Sequence, residues 1–341
     1  MNETILNARQ EAILEIISRL APVSRANIAR KLPSNLTVSR PTLLRDLDFL
    51  EQKGFIKKSG AARATVYISK ESSLLQHVNI GRYFTRSVGE REIVLRSPRE
   101  LLDEIDQTPL LTIDELAKIA KIHQAFREKT SHISPTIFRK ELERFTIELS
   151  YKSSKIEGNT YSLLETEQLI KSGETSGHSR EETDMILNHK RAIDYIMKDA
   201  GKFRQLNLSD ILEIHQILVY NLDVETGLRR NDVRITGTKY LPPGSGRLRE
   251  FLLRTTEIVN QRENPVEKAL IVSALIAYLQ PFAVGNKRTA RVTGNAVLLG
   301  CGFAPLSYRD TPDIEYKKAV LLFDEAQNLS AYKRIFSTVS I

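Results

Sequence analysis

The stretch QPFAVGNKRTARVTGNAVLLGCGFAP, residues 280–305, decides the fold of this chain. Pro281 and Gly285 interrupt regular helix, so they separate an apolar helix ending at Leu279 from a second helix opened by Asn286-Lys287-Arg288. A loop that feeds a helix N-terminus presents unpaired backbone N–H groups at the positive end of the helix dipole, a setting suited to phosphate. Arg288 and Arg291, three residues apart, project from one side of that helix. Phe282 anchors the loop in a core and Gly285 permits its tight turn. The other reading of the same residues is a plain helix corner with exposed arginines.

Upstream, Lys268–Leu279 reads as a helix whose nearly apolar run, Ala269–Leu279, is 11 residues long. A membrane span needs about 20, so the run predicts a buried core helix and no membrane partner. Helical spacing recurs at Thr112–Glu128, Ser134–Ile156, Ser162–Lys171, Glu181–Lys198 and Ser209–Leu222, which makes residues 112–341 a helical domain. Asp232–Pro243 breaks that pattern: β-branched residues flank Thr236-Gly237 and two prolines close the segment. The expectation there is a small β-hairpin flap, able to hold an extended peptide by edge pairing. Residues 71–111 have no strong period and read as a connector with some local structure.

Residues 1–70 differ in kind. Asn7–Leu20 places Ala8, Ala12, Ile13, Ile16, Ile17 and Leu20 at helical spacing, and Ala21-Pro22 stops it. Ser24 caps a short second helix to Leu32, and Ser39 caps a third that tolerates Pro41 in its first turn. The third helix buries Leu43, Leu44, Leu47 and Leu50 and turns Arg40, Thr42 and Arg45 outward. After Gly54, two extended runs, Phe55–Lys58 and Thr65–Ser69, make a hairpin with a basic tip. These 70 residues hold twelve Lys and Arg against six Asp and Glu, so most of the net +8 of the chain lies here. A basic excess on so small a module is the footprint of phosphate binding, or else a solvated basic surface.

Three helices and a hairpin in this order resemble the winged helix-turn-helix family, with VSRPTLLRDLDFLEQKGFIKK similar to its recognition helix and wing. The resemblance implies double-stranded DNA as partner: Ser39, Arg40, Thr42 and Arg45 toward base edges, and Lys57, Lys58 and Arg63 on phosphates. Such modules also serve in protein interaction. They commonly bind as dimers, so a homodimer is expected.

QPFAVGNKRTAR resembles the motif of the Fic family, H-P-F-x-[D/E]-G-N-[G/K]-R-x-x-R, departing from it at two positions. SSKIEGN at Ser153–Asn159 is similar to the family's inhibitory helix motif, and TGLRRNDVRITGTKYLPP to the segment leading into its flap. The resemblance implies AMP transfer from ATP to a target hydroxyl: a histidine takes the hydroxyl proton, an acid holds Mg²⁺, the Gly-Asn turn forms an anion hole and two arginines clamp phosphate. Here the histidine position is Gln280 and the acidic position Val284. A carboxamide accepts no proton near neutral pH, and valine binds no cation, so no catalytic residue is intact and Mg²⁺ is not expected. Gly285, Asn286, Lys287, Arg288 and Arg291 remain as a nucleotide or phosphate site, with ATP or another nucleotide as ligand and no required cofactor.

The resemblance also implies that Ser153, Glu157 and Gly158 form the inhibitory element, with Glu157 paired to Arg291 as a structural salt bridge or a ligand-sensitive latch. Cys301 is the single cysteine, which excludes an internal disulfide framework, and it reads as a small buried hydrophobe. The six histidines lie apart in sequence, against a histidine metal site. MNETILNARQ carries no secretory pattern, so a cytoplasmic protein is expected. The architecture is mainly α: a winged helix at 1–70, a connector at 71–111 and a Fic-type domain at 112–341. The leading expectation is a DNA-binding transcriptional regulator with a degenerate Fic domain, and the alternatives are a protein adenylyltransferase restrained by Glu157 and a peptide-binding adaptor.

Overall fold

The computed structural model describes residues 6–61, 64–70, 72–94 and 96–337. The chain divides into two compact units, Met1–Thr85 and Arg86–Ile341. Residues 71–111, expected as a connector, are shared between the two.

In the first unit, α1 (Ala8–Leu20) starts where the Asn7 side chain accepts from the N–H groups of Arg9 and Gln10 and the Gln10 side chain accepts from Asn7 N in return. A two-residue strand, β1 (Val23–Ser24), precedes α2 (Arg25–Lys31), which Ser24 caps through Asn27 N. The third helix, α3 (Arg40–Gln52), has Ser39 at its N-cap, but the Ser39 hydroxyl pairs with Thr42 Oγ1 at 3.0 Å instead of capping the backbone. Gly54, at φ +81°, turns the chain into β2 (Ile56–Ser59), which pairs antiparallel with β3 (Val66–Ser69). β1 adds to the other edge of β3. That third strand has too few residues to show a period. Ile13, Ile17, Ile28, Leu47, Leu50 and Ile56 form the core, and Leu44 stays half-exposed. Asp46, buried on the inner face of α3, accepts from Arg9 Nε and Gln10 Nε2 and so ties α3 to α1. A short helix, α4 (Ile80–Tyr83), follows, and Gln76 donates to Leu14 O at 3.2 Å.

The second unit holds α5 (Pro98–Gln107), α6 (Ile113–Ser131), α7 (Pro135–Ile156), α8 (Leu163–Ser172), α9 (Arg180–Lys198), α10 (Leu208–Leu218), α11 (Leu248–Gln261), α12 (Pro265–Leu279), α13 (Asn286–Gly300), α14 (Asp313–Ala326) and α15 (Ser330–Ser337). Every side chain of α12 from Leu270 to Leu279 is buried, so this helix is the axis on which α11, α13, α14 and α15 pack. It lies close to α13, where Ser273 Oγ donates to Ala290 O at 3.0 Å opposite Gly294. No helix among the described residues is long and apolar enough to cross a membrane.

Three expectations change in this unit. Asp232–Pro243 contains a turn at Thr236-Gly237 but no strand pairing, so the hairpin flap is an irregular segment. Its arms are held by the body of the unit: the Arg229 guanidinium donates to Asn231 O and Pro243 O, and Tyr240 OH donates to Tyr278 O. Arg229 thus holds the carbonyls at the two ends of the segment. Helix α10 stops at Leu218 rather than Leu222, because Asn188 Nδ2 takes the carbonyls of Leu218 and Tyr220 and Arg288 Nη1 also takes that of Leu218. Cys301 is only half-buried.

At the far end of α13, a Cβ on Gly300 would lie 2.7 Å from Ala200 O and 2.9 Å from Arg204 N, in the 3-10 turn Ala200–Arg204. These are backbone atoms and cannot rotate away. Gly300→Ala should therefore cost about 1–3 kcal/mol of stability; a denaturation midpoint equal to wild type would show that the contact is not as close as described.

Candidate functional site

The loop between α12 and α13 is shaped by its own side chains. Gln280 closes α12 in the left-handed region, at φ +46°, and its carboxamide is spent at both ends: Nε2 donates to Ala277 O, and Oε1 accepts from Asn286 Nδ2 at 3.0 Å. Asn286 also accepts from Phe282 N at 2.9 Å and donates to Phe282 O at 2.8 Å, folding the loop around itself. Gly285, at φ +79°, is the N-cap of α13, and a Cβ there would lie 3.2 Å from Val219 Cγ1. No side chain caps α13. Its first-turn N–H groups therefore face the loop, as an anion site requires.

Two residues hold this loop that the sequence reading did not single out. Arg229 donates to Pro281 O through its backbone N–H at 2.9 Å and to Gln280 O through Nε at 2.7 Å. His215, on α10, stacks on Phe282 with ring centroids 3.7 Å apart, and its Nε2 lies 3.1 Å from Val284 O. A carbonyl only accepts, so Nε2 carries a proton. Burial pushes its pKa down to about 4. Neither a buried arginine nor a buried histidine has a periodic signature in sequence.

The two arginines of α13 have different tasks. Arg288 lies under Gly285, donates to Leu218 O at 3.2 Å and is nearly buried. Arg291 is 0% exposed. Its Nε donates to Ser153 Oγ and its Nη2 to Ser153 O, both at 2.8 Å, and Nη2 also reaches Glu157 Oε1 at 2.9 Å. Its guanidinium lies 5.1 Å from the centroid of the Tyr316 ring, and Nη1 has no partner among the described residues.

Ser153 and Glu157, one turn apart on α7, thus meet the same arginine. Gly158, exposed at φ +103°, ends the helix just beyond them. The Glu157 side chain is 24% exposed, at the mouth rather than the floor of the site. Burial alone would raise its pKa, but Arg291, Lys287 and Arg288 outweigh burial and hold it below the usual carboxylate range. Lys287 is half-buried, and its ammonium makes no hydrogen bond among the described residues.

Arg291 also opens a chain of hydrogen bonds. Met185 O only accepts, so His189 Nδ1 donates to it at 3.1 Å; in the neutral ring Nε2 then accepts from the Ser153 hydroxyl at 2.7 Å, while Ser153 Oγ accepts from Arg291 Nε. His189 is neutral, because burial together with the charge of Arg288 takes its pKa down to about 3.

Val284 has no side-chain oxygen, is 40% exposed, and its carbonyl is taken by His215, so these residues do not fit a bound divalent cation. Among the described residues no group of three or more His, Cys, Asp or Glu could hold a metal ion. In the first unit, Ser39, Arg40 and Arg45 are exposed on α3 and Lys57 and Lys58 on β2, while Thr42 is half-buried. Arg63 lies outside the described residues.

The fold and loop define a helical domain with a glycine turn and an uncapped helix N-terminus between two buried helices. Residues 205–298 match the Fic/DOC family model, and the chain carries a Fic/DOC domain there. Over 215 residues it is 28% identical to protein adenylyltransferase Fic of Drosophila virilis, covering 61% of this chain and 42% of that protein. Over 182 residues it is 30% identical to the Drosophila erecta protein of that name, covering 51% and 36%. The match therefore spans less than half the length of these relatives. A Fic-domain-containing signaling protein from Bacteroides thetaiotaomicron VPI-5482 shares the fold, with a TM-score of 0.56 at 21% identity over 65% of this chain and 91% of that one. A Fic family protein from Desulfovibrio desulfuricans G20 does so with a TM-score of 0.55 at 20% identity, over 67% and 73%.

Both buried histidines are neutral when folded and take up protons near the ordinary 6.5 when unfolded. Their depressed folded pKa values make a contribution to stability that is complete above 6.5 and is lost as pH falls toward about 4 for His215 and about 3 for His189. Between pH 6.5 and 5 each should remove up to about 2 kcal/mol. Thermal unfolding across that range reads the loss; a melting temperature that stays level would rule out both neutral assignments.

Proposed function

We propose that the Fic domain binds a nucleoside triphosphate through its phosphates at Gly285–Arg291, that Glu157 holds Arg291 in a resting arrangement, and that transfer is arrested at Gln280. The observation that carries this reading is the buried Arg291, with one nitrogen unpartnered and another held by Glu157, beneath an uncapped helix N-terminus. The name of the relatives, protein adenylyltransferase, supports AMP transfer from ATP to a hydroxyl as the chemistry of this type of domain. In this chain the group at the base position is a carboxamide engaged with Ala277 and Asn286. General-base assistance, typically worth about 10²–10⁴-fold, is then missing, and Val284 offers no side-chain ligand to Mg²⁺.

Incubation of the protein with labelled ATP tests the arrest. Wild type should transfer no label, and the doubly substituted Gln280→His, Glu157→Gly protein should gain transfer. Strong labelling by the unaltered protein would overturn the arrest and favour an active adenylyltransferase.

A second reading concerns the first unit. The exposed Ser39, Arg40 and Arg45 on α3, beside Lys57 and Lys58 on β2, support binding to double-stranded DNA, and with it a regulator in which the Fic domain senses a ligand. A dimer would use half-sites roughly 10 bp apart. In a gel-shift assay with DNA upstream of its own coding region, Arg45→Ala should weaken a specific band by about 1–3 kcal/mol. If wild type gives no specific band, the DNA reading is lost.

A further inference from the structure

We propose that His178, as the imidazolium, is a positioning residue for the Glu157 latch: it clamps the turn that follows Glu157, so the latch tightens as pH falls. The inference rests on the reading above that Glu157 holds Arg291 at rest.

Arg291 is fixed in the core, so the pair opens only if Glu157 moves. Glu157 closes α7, and Gly158, in a left-handed conformation, starts the turn of residues 158–161. The far end of that turn is anchored on α8 and α9. Asn159 Nδ2 donates to Glu182 O at 2.8 Å, and Thr160 donates to Glu182 Oε1 through its backbone N–H at 2.9 Å and its hydroxyl at 2.6 Å. Tyr161 is buried with Leu169 and Ile186, and its OH meets Thr183 Oγ1 at 2.7 Å.

His178, between α8 and α9, completes this anchor. Its ring stacks on Tyr161 with centroids 3.9 Å apart. Nδ1 lies 3.0 Å from Thr160 Oγ1, and Nε2 lies 3.3 Å from Glu165 Oε1 but out of hydrogen-bond alignment. The Thr160 hydroxyl has one proton, which goes to the Glu182 carboxylate, so its oxygen accepts from His178 and Nδ1 carries a proton. In a neutral ring Nε2 then turns a lone pair toward the Glu165 carboxylate. In the imidazolium Nε2 is a donor facing that carboxylate, and the charges are opposite.

The charged groups around the ring are Glu165 from α8 and, through Thr160, Glu182 from α9. Hydrogen bonds from Thr160 and Ser179 hold the Glu182 carboxyl down to about 2, and those from Ser162 hold Glu165 below the usual carboxylate range. Among the described residues no Lys or Arg is paired with either; Arg180, close by in the chain, lies 3.5 Å from Asp184. Two carboxylates thus meet one titratable ring. When the ring loses its second proton, the hold on Thr160 weakens, the turn at Gly158 loosens, and Glu157 is free to leave Arg291 to a phosphate.

Hydrogen exchange of the ligand-free full-length protein reads the clamp over residues 157–161. After correction for intrinsic exchange, wild-type protection should rise between about pH 8 and about pH 6, by up to about tenfold per pH unit. His178→Gln should hold level, and Glu165→Gln, which keeps the imidazole, should move the rise to lower pH. ATP affinity, measured by calorimetry over the same range, should fall with pH in wild type relative to Glu157→Gly, which lacks the latch. Protection that stays level in wild type, or that responds alike in His178→Gln, overturns the inference. So does an ATP affinity with the same pH profile in wild type and Glu157→Gly; both results leave the phosphate site standing. ATP binding by neither of those two proteins overturns the phosphate-site reading, and the inference falls with it.

Discussion

A guanidinium with no exposure to solvent needs hydrogen-bond acceptors, and the second unit is arranged around the need of Arg291 for them. It sits on α13, the helix most closely packed against the buried α12, so it cannot move outward without opening the core. Its acceptors come from another helix, α7, whose last turn presents Ser153 and Glu157 together. The end of α7 is consequently part of the site. Gly158 follows because the backbone must leave the helix there in a left-handed conformation.

The same constraint spreads by polarity. The chain from Arg291 through Ser153 and His189 is fixed at its two ends, by an arginine that can only donate and by the Met185 carbonyl that can only accept, with His189 neutral between them. A proton added to His189 would place a second donor against Ser153 and a second positive charge beside Arg288 and Arg291. The loop itself depends on a separate frame. Arg229 holds it from one side through two carbonyls, His215 from below through a third, and Asn286 from within. Gln280 belongs to that frame as a hydrogen-bonding member of the turn, which gives a carboxamide at this position a structural task.

The first unit obeys ordinary core packing with few polar exceptions, chief among them the Asp46 contact that joins α3 to α1 through Arg9 and Gln10. That contact and the leucines of α3 account for its inner face, which leaves the N-terminal half of the opposite face free for Ser39, Arg40 and Arg45.

Helix positions and the buried character of α12 were legible in the sequence because they follow from period and, for α2, from the cap at Ser24, which act within a few turns. The loop residues from Gln280 to Arg291, and Glu157 as a partner for Arg291, were legible through motif resemblance. Tertiary structure decided the rest. The segment Asp232–Pro243 has the residue types of a hairpin, yet Arg229 holds the carbonyls at its two ends and no ladder forms, and α10 ends early because Asn188 and Arg288 claim its last carbonyls. Arg229, His178, His189 and His215 come from segments far apart in the chain, and only packing shows which polar groups meet and which stay without a partner. Local sequence determines φ and ψ preferences and the identity of a turn; the satisfaction of a buried charge depends on groups that no local pattern can specify.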